Sequence, residues 1–267
     1  MTIKHQTPLD SLYVSQPRRW LVVILAVYLA VGILFAALTP AWQAPDEPAH
    51  YNYIAYVATH YQLPVLQMGD YNQDELERLK QESFPPELTI DGVRYENYQP
   101  PFYYVLSAVI FVLTQGSLFF LRLFIVLLGL VSLLLLYRSL EVVFPNKPMI
   151  TLSATAFAAL LPMHVAVAAS LSNDILAELL VNAAFLALLT WMKAFYEERT
   201  EDEPTDWPTL LRLGIICGLG LLTKIYGYVL LPIVVITIIG VLWKRRAKFM
   251  AGLRQALWVA IPALLMG

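Results

Sequence analysis

The feature that most constrains this chain is a series of long apolar runs. The first run, residues 20–38, contains no charged side chain, and about 20 such residues are needed to cross a bilayer as a helix. Because no small-residue cleavage site follows it, we predict a transmembrane helix rather than a cleaved signal peptide. Comparable runs cover residues 118–136, 149–169, 175–192, 210–222 and 225–243. The pattern predicts an all-α, multi-pass membrane protein with about six complete transmembrane helices.

The composition supports a membrane protein and narrows its chemistry. Hydrophobic residues make up 58% of the 267 residues and charged residues 14%, whereas soluble domains carry about a quarter charged residues. The single cysteine, Cys217, lies inside an apolar run, which excludes a disulfide framework and a thiolate metal site. No phosphate-binding glycine loop, dinucleotide fingerprint, zinc spacing or nucleophile elbow is present. Neither soluble nucleotide chemistry nor a nucleic-acid partner is therefore expected.

A short apolar stretch, residues 101–115, decides the membrane topology. If it spans the bilayer and the N-terminus is cytoplasmic, the later clusters of Lys and Arg all fall outside, against the positive-inside rule. If it is a re-entrant or surface-lying helix, as its length allows, 13 of the 18 Lys and Arg residues lie inside. We predict the second topology. Five cations then lie outside or within the bilayer: Arg78, Lys80, Arg94, Arg122 and Lys224.

This topology divides the chain into four parts. Residues 1–19 form a cytoplasmic N-terminus, residues 20–38 the first span, and residues 39–117 an outer loop with juxtamembrane helices. Residues 118–267 form the remaining transmembrane module. Its last run, which starts at Leu257, is too short to complete a seventh span before Gly267. We expect the chain to be the front of a larger membrane protein, with the N-terminus in the cytoplasm of a cell with an inner membrane.

Local patterns predict three structures in the loops. Residues 46–60 and 70–82 have the spacing of amphipathic helices. Asp91 and Gly92, between two short β-favouring runs, predict a small hairpin. The acidic run over residues 197–206 predicts a cytoplasmic loop.

Asp46 and Glu47 follow the first span by a few residues. Two adjacent carboxylates at a membrane surface can divide roles, with one acting as a base or metal ligand and the other orienting a substrate or side chain. The alternative is that Asp46 caps a helix whose first turn favours acids. His50 lies three residues after Glu47, a spacing that metal sites use. The sequence leaves both roles open.

Asp174 and Glu178 lie one helical turn apart at the start of an apolar run, and Asn182 follows one turn later. Asn173 or Asp174 could be the N-cap of this helix. An ionisable residue within a membrane is a functional hypothesis by default. Arg122 enters the bilayer from the same side and to a similar depth as Glu178. We therefore predict a structural Arg122–Glu178 pair, with direct substrate contact by Glu178 as the alternative.

Lys224 separates two apolar runs on the outer side, against the general charge trend. Such a lysine can extend harmlessly to the interface or bind the phosphate of a lipid, and the second use is favoured. Tyr98 and Gln99 begin a Pro-Pro-aromatic phrase that sets a rigid turn and an aromatic cluster at the surface. Its aromatic residues could cradle a ring-shaped ligand, although an interfacial aromatic anchor is favoured by composition.

Five short phrases, in this order, resemble the N-terminal module of the GT-C glycosyltransferases. The resemblance is strongest to the polyprenyl-phosphate-dependent branch, which includes protein O-mannosyltransferases and lipid A aminoarabinose transferases. The phrases are Pro45-Asp46-Glu47, Gln99-Pro100-Pro101-Phe102-Tyr103-Tyr104, Leu121-Arg122-Leu123, Ser172-Asn173-Asp174 and Leu222-Thr223-Lys224.

The resemblance implies an inverting transfer of a sugar from a polyprenyl-phosphate carrier to an acceptor at the outer face of a bacterial or archaeal inner membrane. In such families Asp46 would be the general base and Glu47 would assist or orient. Asp174 would bind the acceptor or a divalent cation. Lys224 or Arg122 would bind the lipid phosphate. The predicted topology agrees, because it places the acids and Lys224 on one side of the membrane.

Several points stay open. Gln99 stands where the family often has His, which puts any imidazole role there in doubt. A divalent cation such as Mg²⁺ or Mn²⁺ would have Asp46, Asp174 and His50 as candidate ligands. The acceptor could be a protein, a lipid or a glycan. The alternatives are a non-catalytic membrane subunit that retains the module, and a lipid or solute transporter, although the paired repeats of transporters are not visible.

Overall fold

The computed structural model describes residues 16–85, 87–197, 206–244 and 249–266. Within these ranges the chain forms helices and no strand, which confirms the predicted all-α fold. The helices are α1 (Pro17–Leu38), α2 (Glu47–His60), α3 (Gln73–Gln81), α4 (Phe102–Leu113), α5 (Leu118–Val143), α6 (Pro148–Leu160), α7 (Pro162–Ala168), α8 (Asp174–Glu197), α9 (Trp207–Leu221), α10 (Tyr226–Lys244) and α11 (Phe249–Met266).

Four helices of the described ranges, α1, α5, α8 and α10, are long and apolar enough to cross a membrane. The bent pair α6 and α7 would make a fifth span. The run predicted as a span over residues 210–222 forms α9, which has 15 residues and is shorter than a full crossing. The expected number of about six complete spans is therefore four or five by length and composition. The multi-pass helical architecture itself is confirmed.

The apolar run over residues 149–169 does not form one straight helix. It breaks between α6 and α7 with a bend of 61°. Pro162 causes the break, because proline cannot donate a backbone hydrogen bond and disfavours helical geometry at the residue before it. Leu161 accordingly has an extended backbone, with ψ of 118°. The bend carries His164, which lies in α7, towards α8.

The segment predicted to form the outer loop, residues 39–117, which we call the outer segment, is folded around α2 and α4. The rings of Tyr53 and Tyr104 stack with centroids 3.5 Å apart, and both side chains are buried. α4 has 12 residues, about 18 Å at 1.5 Å per residue, so it is too short to cross a bilayer. Its re-entrant or surface-lying placement stays a prediction. Asp91 and Gly92 form a turn closed by Val93 N–H donating to Ile90 O at 2.9 Å, but without the predicted hairpin strands.

Two apolar cores stabilise the bundle. One joins α1, α2, α4, α5, α6, α7 and the first part of α8, and the other joins the rest of α8 to α9, α10 and α11. The second core depends on a close approach at Gly214, where an added Cβ would lie 2.6 Å from Val259 O on α11. Small residues allow such contacts between apolar helices.

Four helix ends meet the outer segment at one place. They are the end of α1, the starts of α5 and α8, and the end of α9. Phe102 N–H at the start of α4 donates to Leu222 O at the end of α9 over 2.9 Å, which fixes one of these junctions. The predicted N-terminal segment and acidic loop fall mainly on residues 1–15 and 198–205, outside the described residues.

Candidate active site

Asp46 lies just before α2 with its carboxylate exposed. Its φ of 61° is left-handed, a conformation that Asp tolerates better than most residues. Asp46 is the N-cap residue of α2, as the capping alternative predicted, but its side chain makes no capping hydrogen bond. Instead, Tyr95 Oη donates to Asp46 Oδ1 at 2.7 Å. The carboxylate is thus oriented by a tyrosine and accessible to another molecule.

Glu47, the next residue, is completely buried. Both of its oxygens are bonded to Arg122, with Nε to Oε1 at 2.8 Å and Nη2 to Oε2 at 2.6 Å. Backbone N–H groups of Trp42 and Leu171 also donate to Glu47 at 3.0 Å and 3.3 Å. This bidentate pair, which we call the Glu47–Arg122 clasp, ties α2 to α5 and to the loop before α8.

Arg122 has no N–H left for a ligand in this arrangement. Besides the two bonds to Glu47, its guanidinium donates to three backbone carbonyls at the end of α1, and these use the remaining three of its five N–H groups. The acceptors are Ala36 O at 3.1 Å, Thr39 O at 2.7 Å and Pro40 O at 3.1 Å. The predicted Arg122–Glu178 pair is therefore wrong, because the outer segment folds back and supplies Glu47 as the partner. The clasp also leaves Lys224 as the candidate for a lipid phosphate.

Glu178 belongs to a separate polar cluster between α5, α7 and α8. Ser132 Oγ donates to Glu178 Oε1 at 2.7 Å, and His164 Nε2 lies 3.1 Å from Oε2. Asn182 Nδ2 donates to Ser132 Oγ at 2.8 Å, so the predicted common face of Glu178 and Asn182 is confirmed. Sequence reasoning missed Ser132 and His164. The available signal was a polar side chain in each of two apolar runs.

Asp174 begins α8 and pairs with Lys224, which follows α9. Lys224 Nζ lies 2.6 Å from Asp174 Oδ1. The Lys224 side chain is 18% exposed and the Asp174 side chain is 38% exposed, so the pair is open to a ligand. The Lys224 ammonium also lies 5.6 Å from the centre of the Tyr226 ring. The lysine is therefore held at a defined position rather than extended alone to the interface.

A chain of amides connects three of the sequence phrases. Asn173 Nδ2 donates to Gln99 Oε1 at 3.2 Å and to Thr223 O at 3.0 Å. Asn173 is fully buried, and its Oδ1 accepts no hydrogen bond, so its side chain does not cap α8. Gln99 Nε2 donates in turn to Glu96 Oε2 at 2.8 Å. Glu96 is a buried acid that sequence reasoning missed, and its position three residues before Gln99 was the available signal.

The charged groups act on the same buried neighbours. Burial raises the pKa of Glu96, the Gln99 hydrogen bond lowers it, and the charge of Asp46 raises it. Lys224 lowers the pKa of Glu96 and Asp174 raises it. The charges of Asp46, Lys224 and Asp174 also act on the His50 pKa. Hydrogen bonds connect the same segments: Tyr95 holds Asp46 and precedes Glu96, and Glu96 is linked through Gln99 and Asn173 to the residues beside Asp174 and Lys224. Asp46, Asp174 and Lys224 therefore lie in one region, which we call the candidate site.

His50 is a buried neighbour of this site. Burial lowers its pKa to about 4, so the imidazole is neutral at pH 7. Its Nδ1 lies 2.8 Å from the hydroxyl of Tyr104. Among the described residues, no group of three or more His, Cys, Asp and Glu side chains could hold a metal ion. Asp46, His50 and Asp174 are thus not brought together as a three-ligand set, and a role for a divalent cation stays a prediction.

The aromatic phrase after Gln99 is mostly core rather than surface. Tyr103 and Tyr104 are 0% exposed, whereas Tyr98 is 63% exposed. The prediction of a surface aromatic cluster is therefore wrong for Tyr103 and Tyr104, because α2 packs over them. Tyr98 alone of these three keeps a ring available beside Gln99, whose Nε2 donates to the Tyr98 hydroxyl at 3.2 Å.

A largely apolar cavity of about 590 Å³ opens beside the Asp174–Lys224 pair. Its polar and aromatic lining residues are Asp174, Glu178, His164 and Tyr226. The rest of the lining comes from aliphatic side chains of α7 and α8 and from Met163. The cavity thus places apolar volume next to a cation and a carboxylate, which suits an amphipathic ligand.

Fold and site define a multi-pass helical membrane protein with an acid- and lysine-containing site where helix ends meet. The sequence model of the family "Dolichyl-phosphate-mannose-protein mannosyltransferase" matches residues 67–266, and the chain belongs to this family. Neither a curated protein nor a solved structure matches the chain. The matched range includes Gln99, Asp174 and Lys224 and begins after Asp46. Membership confirms the GT-C resemblance and implies a membrane glycosyltransferase with a polyprenyl-phosphate-linked sugar donor.

Proposed function

We propose that this protein transfers a sugar from a polyprenyl-phosphate carrier to an acceptor at the outer membrane face, with inversion at the anomeric carbon. The observation that carries the proposal is an exposed carboxylate, Asp46, in the same region as a partly exposed cation, Lys224. Asp46 is oriented by Tyr95 and bears no capping bond, and Lys224 lies in the same region. A base and a phosphate-binding cation are the two groups that this transfer requires.

The chemistry is a single displacement. Asp46 accepts the proton of the acceptor hydroxyl or amine as the acceptor atom attacks the anomeric carbon from the side opposite the phosphate. The bond from that carbon to the phosphate oxygen breaks, and its electron pair leaves with polyprenyl phosphate. Lys224 stabilises the negative charge on the departing phosphate. Asp46 then returns its proton to water.

Asp174 keeps Lys224 in place while the donor is absent. A phosphate can approach Lys224 because the pair is partly exposed, whereas a fully buried pair would exclude it. Asp174 also remains the candidate for binding the acceptor. The neighbouring apolar cavity fits the first part of the carrier chain, and Glu178 on its lining stays a candidate for substrate contact.

The remaining predicted residues have supporting roles in this proposal. Glu47 fixes the start of α2, and therefore the backbone of Asp46, through its bond to Arg122. Tyr98 presents an exposed ring that could stack on a sugar. Gln99 holds the amide chain beside it.

The distribution of cations supports the outer face. Asp174 lies at the start of α8, Lys224 lies just after the end of α9, and the Glu47–Arg122 clasp lies at the start of α5. Arg138 and Lys193 lie towards the opposite ends of α5 and α8, and Arg212 lies near the start of α9. Since cytoplasmic loops carry an excess of Lys and Arg, the site end is proposed to face outwards.

A transfer assay in lipid nanodiscs tests the proposed function. The panel contains mannose and other sugars on polyprenyl phosphates, with peptide, glycan and lipid acceptors, each with and without EDTA. We expect transfer from at least one donor, with NMR showing an inverted anomeric configuration in the product. Loss of transfer with EDTA would support a divalent cation. Absence of transfer from every donor would contradict the proposal and favour a non-catalytic membrane subunit.

A further inference from the structure

Glu96 is a buried carboxylate for which the displacement mechanism has no use. It lies between α3 and α4, directly after Tyr95, and only 8% of its surface is exposed. Burying a carboxylate is costly unless hydrogen bonds compensate for lost water. The contacts of Glu96 therefore indicate what the buried charge stabilises.

Gln99 is joined to Glu96 twice. The Gln99 backbone N–H donates to Glu96 O at 3.0 Å, and Gln99 Nε2 donates to Glu96 Oε2 at 2.8 Å. Among the residues that the structure describes, Gln99 is the side-chain donor to this carboxylate. The pair forms one rigid turn immediately before Pro100 and Pro101.

The bond to Glu96 fixes which way the Gln99 amide faces. A glutamine amide has a donor end and an acceptor end, so Nε2 towards Glu96 leaves Oε1 towards Asn173. Asn173 Nδ2 donates to this oxygen at 3.2 Å. If the amide rotated by half a turn, two NH₂ groups would face each other and the bond to Asn173 would be lost. Glu96 therefore determines a contact that it does not itself make.

The hydrogen bonds from Glu96 through Gln99 to Asn173 form a relay that ends beside the candidate site. Asn173 directly precedes Asp174, and its second acceptor, Thr223 O, directly precedes Lys224. At the near end, Tyr95 directly precedes Glu96 and holds Asp46. The relay of Glu96, Gln99 and Asn173 thus connects the segment that orients the proposed base to the residues that carry the ion pair.

We propose that Glu96 is a positioning residue of the transfer site, which acts through Gln99 and Asn173 to hold Asp174 and Lys224 in register with Asp46. This inference rests on the proposed function for its kinetic consequences, but not for the relay itself. A displacement of about 1 Å between reacting groups can cost about 100-fold in rate, so the register of the three residues matters.

The relay operates when Glu96 accepts a hydrogen bond. A protonated Glu96 keeps a carbonyl acceptor but loses the charge that strengthens the bond from Gln99 Nε2, so it holds the Gln99 amide, and through it Asn173, less firmly. Burial raises the pKa of Glu96, so this change falls above the usual carboxyl range. The titratable and charged groups around Glu96 are Asp46, Tyr95, Tyr98, Tyr104, Asp174 and Lys224.

Kinetics of three variants test the positioning role. Glu96→Ala should lower kcat about 10- to 100-fold because the relay is lost. Glu96→Gln keeps an acceptor oxygen, so its kcat at neutral pH should stay within about threefold of wild type. Glu96→Gln should also remove the acid limb of the pH profile that arises from titration of Glu96. The control is Glu87→Ala, an exposed acid of the same segment. A Glu96→Ala enzyme with the kcat and pH profile of this control would overturn the proposal.

Amide hydrogen exchange provides a readout that does not depend on transfer. Exchange at the start of α8 and at Thr223 should be about tenfold faster in Glu96→Ala than in wild type, and unchanged in Glu96→Gln. If Glu96→Ala does not fold, Gln99→Leu should give the same acceleration. Faster exchange in a protein that transfers no sugar would reject the proposed function and keep the relay. Unchanged exchange and kcat in an active protein would reject the relay.

Discussion

Two carboxylate–cation pairs of this protein differ in how accessible they are to a ligand. In the Glu47–Arg122 clasp, the side chains are 0% and 3% exposed and the guanidinium N–H groups are all used. In the Asp174–Lys224 pair, the side chains are 38% and 18% exposed and Lys224 has one carboxylate partner at 2.6 Å. The first pair is a structural joint, and the second can exchange a partner for a ligand. Burial and unused hydrogen-bonding capacity, rather than charge, separate the two.

The same difference divides two adjacent residues. Asp46 and Glu47 look equivalent in the sequence, but one is exposed and the other is buried within the clasp. The left-handed backbone of Asp46 turns its side chain away from the first turn of α2. A change at Glu47 should therefore alter stability first, and a change at Asp46 should alter rate.

The largest effect is expected from breaking the clasp. Glu47→Ala leaves Arg122 charged and buried, which should lower the free energy of unfolding by about 3–5 kcal/mol. Chemical unfolding in detergent micelles, followed by circular dichroism, measures this. The matched control is Glu82→Ala, which removes the exposed pair with Arg78 and should cost less than about 1 kcal/mol. Equal losses for the two variants would mean that the clasp is not a structural joint.

Acidification should lower the free energy of unfolding through the buried residue His50. The pKa of His50 is about 4 in the folded protein and 6.5 when unperturbed. Unfolded chains therefore bind a proton that the folded protein excludes, so stability is full above pH 6.5 and falls down to pH 4. The loss is roughly 3 kcal/mol by linkage. His50→Gln should flatten this part of the pH–stability curve, and His60→Gln, at an exposed histidine, should leave it unchanged.

The open pair should affect donor binding. Lys224→Ala removes the cation proposed to bind phosphate, which should raise the donor KM about 10- to 100-fold. Initial-rate kinetics over a range of donor concentrations measures this, with Lys80→Ala as the control on the exposed helix α3. The free energy of unfolding should change little, unlike in Glu47→Ala. An unaltered donor KM in the Lys224 variant would remove this residue from the phosphate site.

The smallest effect is expected at the tyrosine that orients Asp46. Tyr95→Phe removes one hydrogen bond to the carboxylate while keeping the ring, which should lower kcat about tenfold. Tyr71→Phe is the matched control, since the Tyr71 ring packs edge-on against Tyr95 and its hydroxyl bonds to Gln73 instead. If both variants keep full kcat, the hydrogen bond from Tyr95 does not contribute to catalysis.

Much of the fold could be predicted because apolar length and periodicity are local properties. The first span, α2 and α3 agree with their predicted positions to within a few residues. The break at Pro162 was also a local signal, although the run around it predicted one span. The prediction of a hairpin at Asp91 was wrong because β pairing needs flanking strands with partners. This short segment instead accepts hydrogen bonds from Asn52 of α2.

The site was less predictable because its partners are distant in sequence. Arg122 and Glu178 have opposite charges and a similar predicted depth in the membrane. The partner of Arg122 is nevertheless Glu47, which is 75 residues away in the sequence. Pairing across such distances depends on how the outer segment folds back, which no local pattern specifies. Asp174 and Lys224 could each be identified as candidates from their positions at the ends of apolar runs. The ion pair between them could not be predicted from the sequence.

The most direct test of the account is transfer by Asp46→Asn in nanodiscs under single-turnover conditions. We predict a rate about 10²- to 10⁴-fold below wild type, because the amide cannot accept the acceptor proton. The unfolding midpoint should equal that of Asp91→Asn, an exposed control that should keep full activity. An Asp46→Asn protein that transfers sugar within about threefold of the wild-type rate would contradict the assignment of Asp46 as the base.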